Sequence, residues 1–212
     1  GNPAQSVPVR INPVQRDLFP ATFAVAFLAG LGTVPVPVSA QSVQGTDAGK
    51  ALVAACNGLG VMIDLSHLNE AGFNDVARIS DAPLVATHSN AHAVTPSTRN
   101  LTDRQLAMIA ESKGMVGLNF ATVFLRPDGR QSPDMGWEPV LQHMDHLIAK
   151  LGEDHVGLGS DFDGATVPQG IGDVTGLPAL QDALRAHGYD EALLKKLCHE
   201  NWFAVLDRTW KA

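Results

Sequence analysis

The 212-residue chain sets 15 Lys and Arg against 22 Asp and Glu, a formal net charge of −7. With no cluster of basic residues, that balance argues against nucleic acid as a partner. The length suits one domain with enough interior to carry a site without disulfides. Cys56 and Cys198 lie in helix-like stretches far apart, with no CxxC spacing, and read as buried thiols.

Residues 1–45 have scattered prolines and no amphipathic period, and they are expected to be irregular. Within them Arg16, an apolar stretch from Leu18 to Val38 and a Val38-Ser39-Ala40 end resemble a secretory signal, but Pro20, Pro35 and Pro37 interrupt it. A cytoplasmic location is therefore expected, with export through Leu18 to Ala40 as the alternative. The same prolines argue against a membrane span.

From Gly45 onward caps and periodicity place the elements. Thr46 caps a predicted helix over Asp47 to Asn57, with Gly58 and Gly60 as stops. A short apolar run follows and ends at His67. A helix over about Glu70 to Ile79 leads past Pro83 into a second run ending at His88. Thr102-Asp103-Arg104-Gln105 has capping-box spacing and opens a helix to Lys113, closed by Gly114. Met115 to Phe120 is a third strand. Trp137 to Leu151 reads as a long helix with Val140, Leu141, Met144, Leu147 and Ile148 on one face, stopped by Gly152. The fourth strand ends at Asp161. Helices over Leu177 to Ala186 and, capped by Asp190, over Glu191 to about Leu206 complete the chain.

This alternation of strand and helix, repeated four times, predicts an α/β fold with right-handed crossovers and a parallel sheet buried on both faces. His67, His88 and Asp161 then gather at one rim of the sheet, where such folds keep their chemistry. Four units make half of a (β/α)8 barrel, which takes about 250 residues when complete. Periodicity alone also allows an open sheet of four or five strands.

Four segments carry a resemblance, in this order: Gly60-Val61-Met62-Ile63-Asp64-Leu65-Ser66-His67; Ala82-Pro83-Leu84-Val85-Ala86-Thr87-His88-Ser89-Asn90; Ser97-Thr98-Arg99-Asn100-Leu101-Thr102-Asp103; and Asp154-His155-Val156-Gly157-Leu158-Gly159-Ser160-Asp161-Phe162-Asp163-Gly164. Together they resemble the successive signatures of the membrane dipeptidase family, also called renal dipeptidase, from Thr46 to the C-terminus. The resemblance implies zinc-dependent hydrolysis of dipeptides on a TIM-like (β/α)8 barrel with two metals. Residues 46–212 would be a partial dipeptidase domain, the C-terminal half of that barrel with the N-terminal half missing. It implies His67 and His88 as ligands of one zinc and Arg99 as the partner of the substrate's free carboxylate. Asp161 would handle a proton or hold the substrate amine. A homodimer is implied as well; membrane association is not expected, on the separate ground that prolines break the apolar stretch.

Chemistry agrees with those roles. Imidazoles at adjacent strand ends can converge on zinc, a metal pair acidifies water, and arginine offers a planar fork to a carboxylate. An acidic residue within reach can shuttle the proton. Asp64 and Asp163 are candidates for orienting these groups, and Asn119 could face the site. By contrast, His143-Met144-Asp145-His146 lies in a helix, where positions two apart do not face each other, so a solvated or helix-packing role is expected. His92, His155, His187 and His199 read as ordinary.

The family pattern also includes an early H-x-D strand and a glutamate that bridges the metals. Residues 1–45 contain no histidine and a single acidic residue, Asp17. The expectation is a chain that binds at most one zinc and hydrolyses dipeptides poorly. The alternative is a non-catalytic half-barrel that binds one metal weakly or pairs with another subunit.

Overall fold

A computed structural model describes residues 26–27 and 46–210. Five parallel strands form one sheet in chain order: β1 (Ala26–Phe27), β2 (Ile63–Asp64), β3 (Val85–Ala86), β4 (Met115–Leu118) and β5 (Val156–Leu158). Their register sets Ala26 against Ile63, Asp64 against Val85, Val85 against Met115, and Val116 against Val156. The strand at Ala26–Phe27 falls within the stretch expected to be irregular and adds a fifth strand to the four anticipated. The remainder of the 1–45 segment and of the signal-like run lies outside the described residues.

The helices begin and end where short-range chemistry puts them. α1 (Asp47–Leu59) opens with the Thr46 side chain accepting the Gly49 N–H and closes at Gly60, whose φ of 67° suits a residue without Cβ. α2 (Glu70–Ile79) is capped by Asn69, and α3 (Asp103–Glu111) has the full capping box between Thr102 and Gln105. A single turn, α4 (Thr122–Leu125), follows β4 and was not anticipated. α5 (Glu138–Leu151) packs its buried Val140, Met144 and Leu147 into the main core. α6 is Leu177–His187.

The last helical run departs most from expectation. Instead of one α-helix ending near Leu206, α7 (Glu191–Lys195) passes through a π-turn at Lys196–Glu200 into α8 (Asn201–Trp210). From that position the Asn201 amide donates to the carbonyls of Glu153 (2.6 Å) and Val156 (2.7 Å), and the Trp202 indole donates to Leu158 (3.1 Å). The Val156 and Leu158 carbonyls point away from β4, so these side chains satisfy acceptors that β4 does not reach.

Two apolar clusters sandwich the sheet. The larger, between the sheet and α2, α3, α5 and α6, contains Leu65, Phe73, Leu106, Ile109, Leu118, Leu147, Leu180 and Leu184, all 2 % exposed or less. Burying each such side chain contributes about 1.5–3 kcal/mol. On the other face, Val205 of α8 packs with Met62, Val85 and Met115, and Trp202 and Leu206 flank them. Cys56 and Cys198 are free thiols, Cys56 buried and Cys198 partly so. No helix among the described residues is long and apolar enough to cross a membrane.

Candidate metal centre and substrate-binding residues

The paired ladders stop before the polar residues at their ends. β2 ends at Asp64 rather than His67, β3 at Ala86 rather than His88, and β5 at Leu158 rather than Asp161. The chain turns sharply there: His67 and Asp161 adopt left-handed φ angles of 70° and 64°. A residue other than glycine held in that region costs on the order of 1 kcal/mol or more, a strain concentrated at functional sites. β4 likewise ends at Leu118 rather than Phe120, which leaves Asn119 free to turn its side chain to the rim.

These turns bring three of the predicted residues into direct contact. The Nε2 atoms of His67 and His88 are 3.0 Å apart. Arg99 donates from Nε to His67 Nδ1 (3.1 Å), from one terminal nitrogen to Ser89 Oγ (3.0 Å) and from the other to the His88 carbonyl (3.0 Å). Its guanidinium also lies 5.6 Å from the centre of the Phe124 ring. Asp161 completes the rim through Asn119, whose amide donates to Asp161 Oδ2 (3.1 Å). Asn119 is itself fixed, 1 % exposed, with its Oδ1 accepting the Ala121 N–H and its backbone N–H donating to Asn90. A cavity of about 340 Å³ opens beside this cluster, bordered by His67, Ser89, His92 and Arg99.

Electrostatics keep the two imidazoles neutral near pH 7. Burial pushes both below the ordinary 6.5. For His67 the positive Arg99 and then His88 add to that effect, against Asp161 and Asp64. For His88 the Asp64 carboxylate opposes burial, while Arg99 assists it. Burial also lowers Arg99, and Asp161 and Asp64 offset it. Neutral imidazole is the form that binds metals.

Two nitrogens on one tetrahedral zinc, each 2.0–2.1 Å from it, stand about 3.3 Å apart. The observed 3.0 Å is close to that spacing and is also a hydrogen-bond distance between the two rings. Among the described residues no group of three or more His, Cys, Asp or Glu side chains is arranged to hold a metal.

Of the accessory candidates, Asp64 is 2 % exposed and approaches His88 Nδ1 at 3.7 Å, whereas Asp163 is exposed. The three polar residues of the α5 motif part company. His143 is fully buried and bonds Ala91, Thr95 and Leu125; Asp145 meets His187 and Tyr189; His146 meets Asp103. Sequence reasoning missed Thr87 and Ser89, which hold His88 and Arg99. The available signal was a hydroxyl on each side of the strand-end histidine.

Residues 33–212 match the profile of the membrane dipeptidase family (Peptidase family M19). The chain belongs to that family, whose members are metallopeptidases. The crystal structure of a metallopeptidase from Rhodobacter sphaeroides, liganded with a phosphinate mimic of the dipeptide L-Ala-D-Ala, is 78 % identical. It superposes with a TM-score of 0.78 over 79 % of this chain and 48 % of its own. The structure of a dipeptidase of family M19, "dipeptidase AC", is also 78 % identical, with a TM-score of 0.79 over 80 % of this chain and 49 % of its own. A Klebsiella pneumoniae protein named for its place in the pqqA 5′ region is 52 % identical over 166 residues, 78 % of this chain and 61 % of the relative. The chain thus spans about half the length of the solved relatives it matches.

Proposed function

We propose that this chain carries one side of a zinc-dependent dipeptidase site and that its sheet is an arc of a (β/α)8 barrel. The arc is supported by an all-parallel sheet with strands in chain order. The observation that carries the functional reading is the 3.0 Å approach of the His67 and His88 Nε2 atoms, with Arg99 against the same pair.

In this reading His67 and His88 hold a divalent ion, taken to be zinc. Bound there, the ion supplies positive charge that acidifies water near neutral pH and polarises the scissile carbonyl. Arg99 recognises the free C-terminal carboxylate of a dipeptide. Three of the five N–H donors of its guanidinium are engaged in the site, leaving two for the substrate. Asp161, held by Asn119, accepts the proton of the attacking water and returns it to the leaving amine, or holds the substrate's free amine. A carboxylate anchor on one side and an amine anchor on the other favour dipeptides over longer chains. The functional form is proposed to be a homodimer, which light scattering would test.

The test is metal analysis of the purified 212-residue chain together with hydrolysis of Ala-Ala and Gly-D-Ala. The expected result is one zinc per chain, bound more weakly in His67→Ala and most weakly in His88→Ala, with slow turnover. Two tightly bound zincs with rapid turnover would overturn the partial-site reading, and no metal at all would overturn the metal site.

A further inference from the structure

The carboxylate of Asp64 accepts three hydrogen bonds. Oδ1 takes the N–H groups of Ser66 and Thr87, each at 2.9 Å, and Oδ2 takes the Thr87 hydroxyl at 2.5 Å. A threonine hydroxyl has one proton to donate, and here it goes to the buried carboxylate. At 2.7 Å from His88 Nδ1, Thr87 Oγ1 can then only accept. The Nδ1 atom must carry the ring proton. In a neutral imidazole this leaves Nε2 with a bare lone pair, turned toward His67.

The hydroxyl is the necessary link, because His88 Nδ1 and Asp64 Oδ2 are 3.7 Å apart, too far for a direct hydrogen bond. The backbone of Thr87 is held equally closely. A Cβ at Gly117 or at Gly159 would come within 2.1 Å of the Thr87 carbonyl oxygen, so both positions must lack a side chain for β4 and β5 to approach it.

We propose that Thr87 is a positioning residue that links buried Asp64 to His88 and fixes the Nδ1–H tautomer, baring Nε2 for a divalent cation. The proposal rests on the reading of His88 as a metal ligand, but its tautomer component can be measured without metal. Long-range nitrogen–proton correlation spectra of the metal-free 212-residue chain should show His88 as the Nδ1–H tautomer. Thr87→Val, nearly equal in shape, should lose that preference, and Thr87→Ser should restore it. Zinc affinity, read by competition with a chromophoric chelator, should fall about 10- to 100-fold in Thr87→Val and stay within a few-fold of the parent in Thr87→Ser. His88 found as the Nε2–H tautomer in the parent chain would overturn the proposal, and that measurement needs no folded variant. So would a folded Thr87→Val with unchanged tautomer and affinity. If His88→Ala bound zinc as tightly as the parent, the metal-ligand reading would fail, whereas the tautomer spectra would still decide the Thr87–His88 link.

Discussion

His67 and His88 meet at one point of the rim but are held by opposite chemistry. Behind His88 stand acceptors: the Thr87 oxygen at 2.7 Å and, beyond it, the buried Asp64 carboxylate. Behind His67 stands a donor, Arg99 Nε, at 3.1 Å from Nδ1. A neutral His67 that accepts at Nδ1 carries its proton on Nε2, where it points at the His88 lone pair. His88 is thus arranged for a cation before one arrives. His67 can offer Nε2 only when Arg99 releases it and the ring proton moves. On the proposed reading, preorganisation on one side and a displaceable cation on the other would couple metal binding to the arginine proposed to take the substrate carboxylate.

The largest expected effect separates the two histidines directly. His88→Ala should weaken zinc binding by 100-fold or more and His67→Ala by clearly less, as measured by chelator competition. Equal losses would break the comparison.

A second test lies on the Arg99 side, where His143 ties the loop carrying Arg99 to α5 by accepting the Ala91 N–H at 3.1 Å and bonding Thr95 and Leu125 through Nε2. Burial pushes His143 down from 6.5 to about 4. The unfolded chain therefore binds the proton first as pH falls. Stability is retained above about pH 6.5 and is lost progressively from there to about pH 4, by roughly 3 kcal/mol. Denaturant unfolding at pH 7, 5 and 4 should show this slope, and His143→Gln should reduce it. An unchanged slope in that variant would assign the acid sensitivity elsewhere.

On the His88 side, Gly117→Ala drives a methyl into the Thr87 carbonyl. It should destabilise the chain by about 1–3 kcal/mol in urea unfolding and loosen zinc as well. A stability loss with unchanged zinc affinity would detach Thr87 from the metal site.

The smallest expected effect on metal has the least intuitive sign. Arg99→Met should tighten zinc binding a few-fold by freeing His67 Nδ1, while raising KM for dipeptides far more than for C-terminally amidated analogues. Weaker zinc binding in this variant would show that Arg99 supports His67 rather than competing for it.

Features decided within a few residues were legible in the sequence. The Thr46, Asn69 and Thr102 caps and the Gly60 stop were readable because a cap is a local hydrogen bond. The alternation that predicted a parallel sheet was readable because buried strands and amphipathic helices have different periods. The ordered motifs around His67, His88, Arg99 and Asp161 marked the family, to which the chain belongs. A strand as short as Ala26–Phe27 carries no period, so it was hidden among prolines. The π-turn at Lys196–Glu200 was equally invisible, because its effect is to set Asn201 against the carbonyls of Glu153 and Val156, more than 40 residues away.

By itself, then, the sequence determined the longer helices, the four later strands, the chemical identity of the rim and the lineage, since each depends on local pattern or on residue type. Only the tertiary structure decided which nitrogen of each histidine is bare. That depends on Asp64 and Thr87 meeting across neighbouring strands, on Arg99 reaching back over 32 residues to His67, and on two glycines that let three strands close on one carbonyl. Tautomers are set by partners a few ångströms away in space, and no spacing along the chain encodes them.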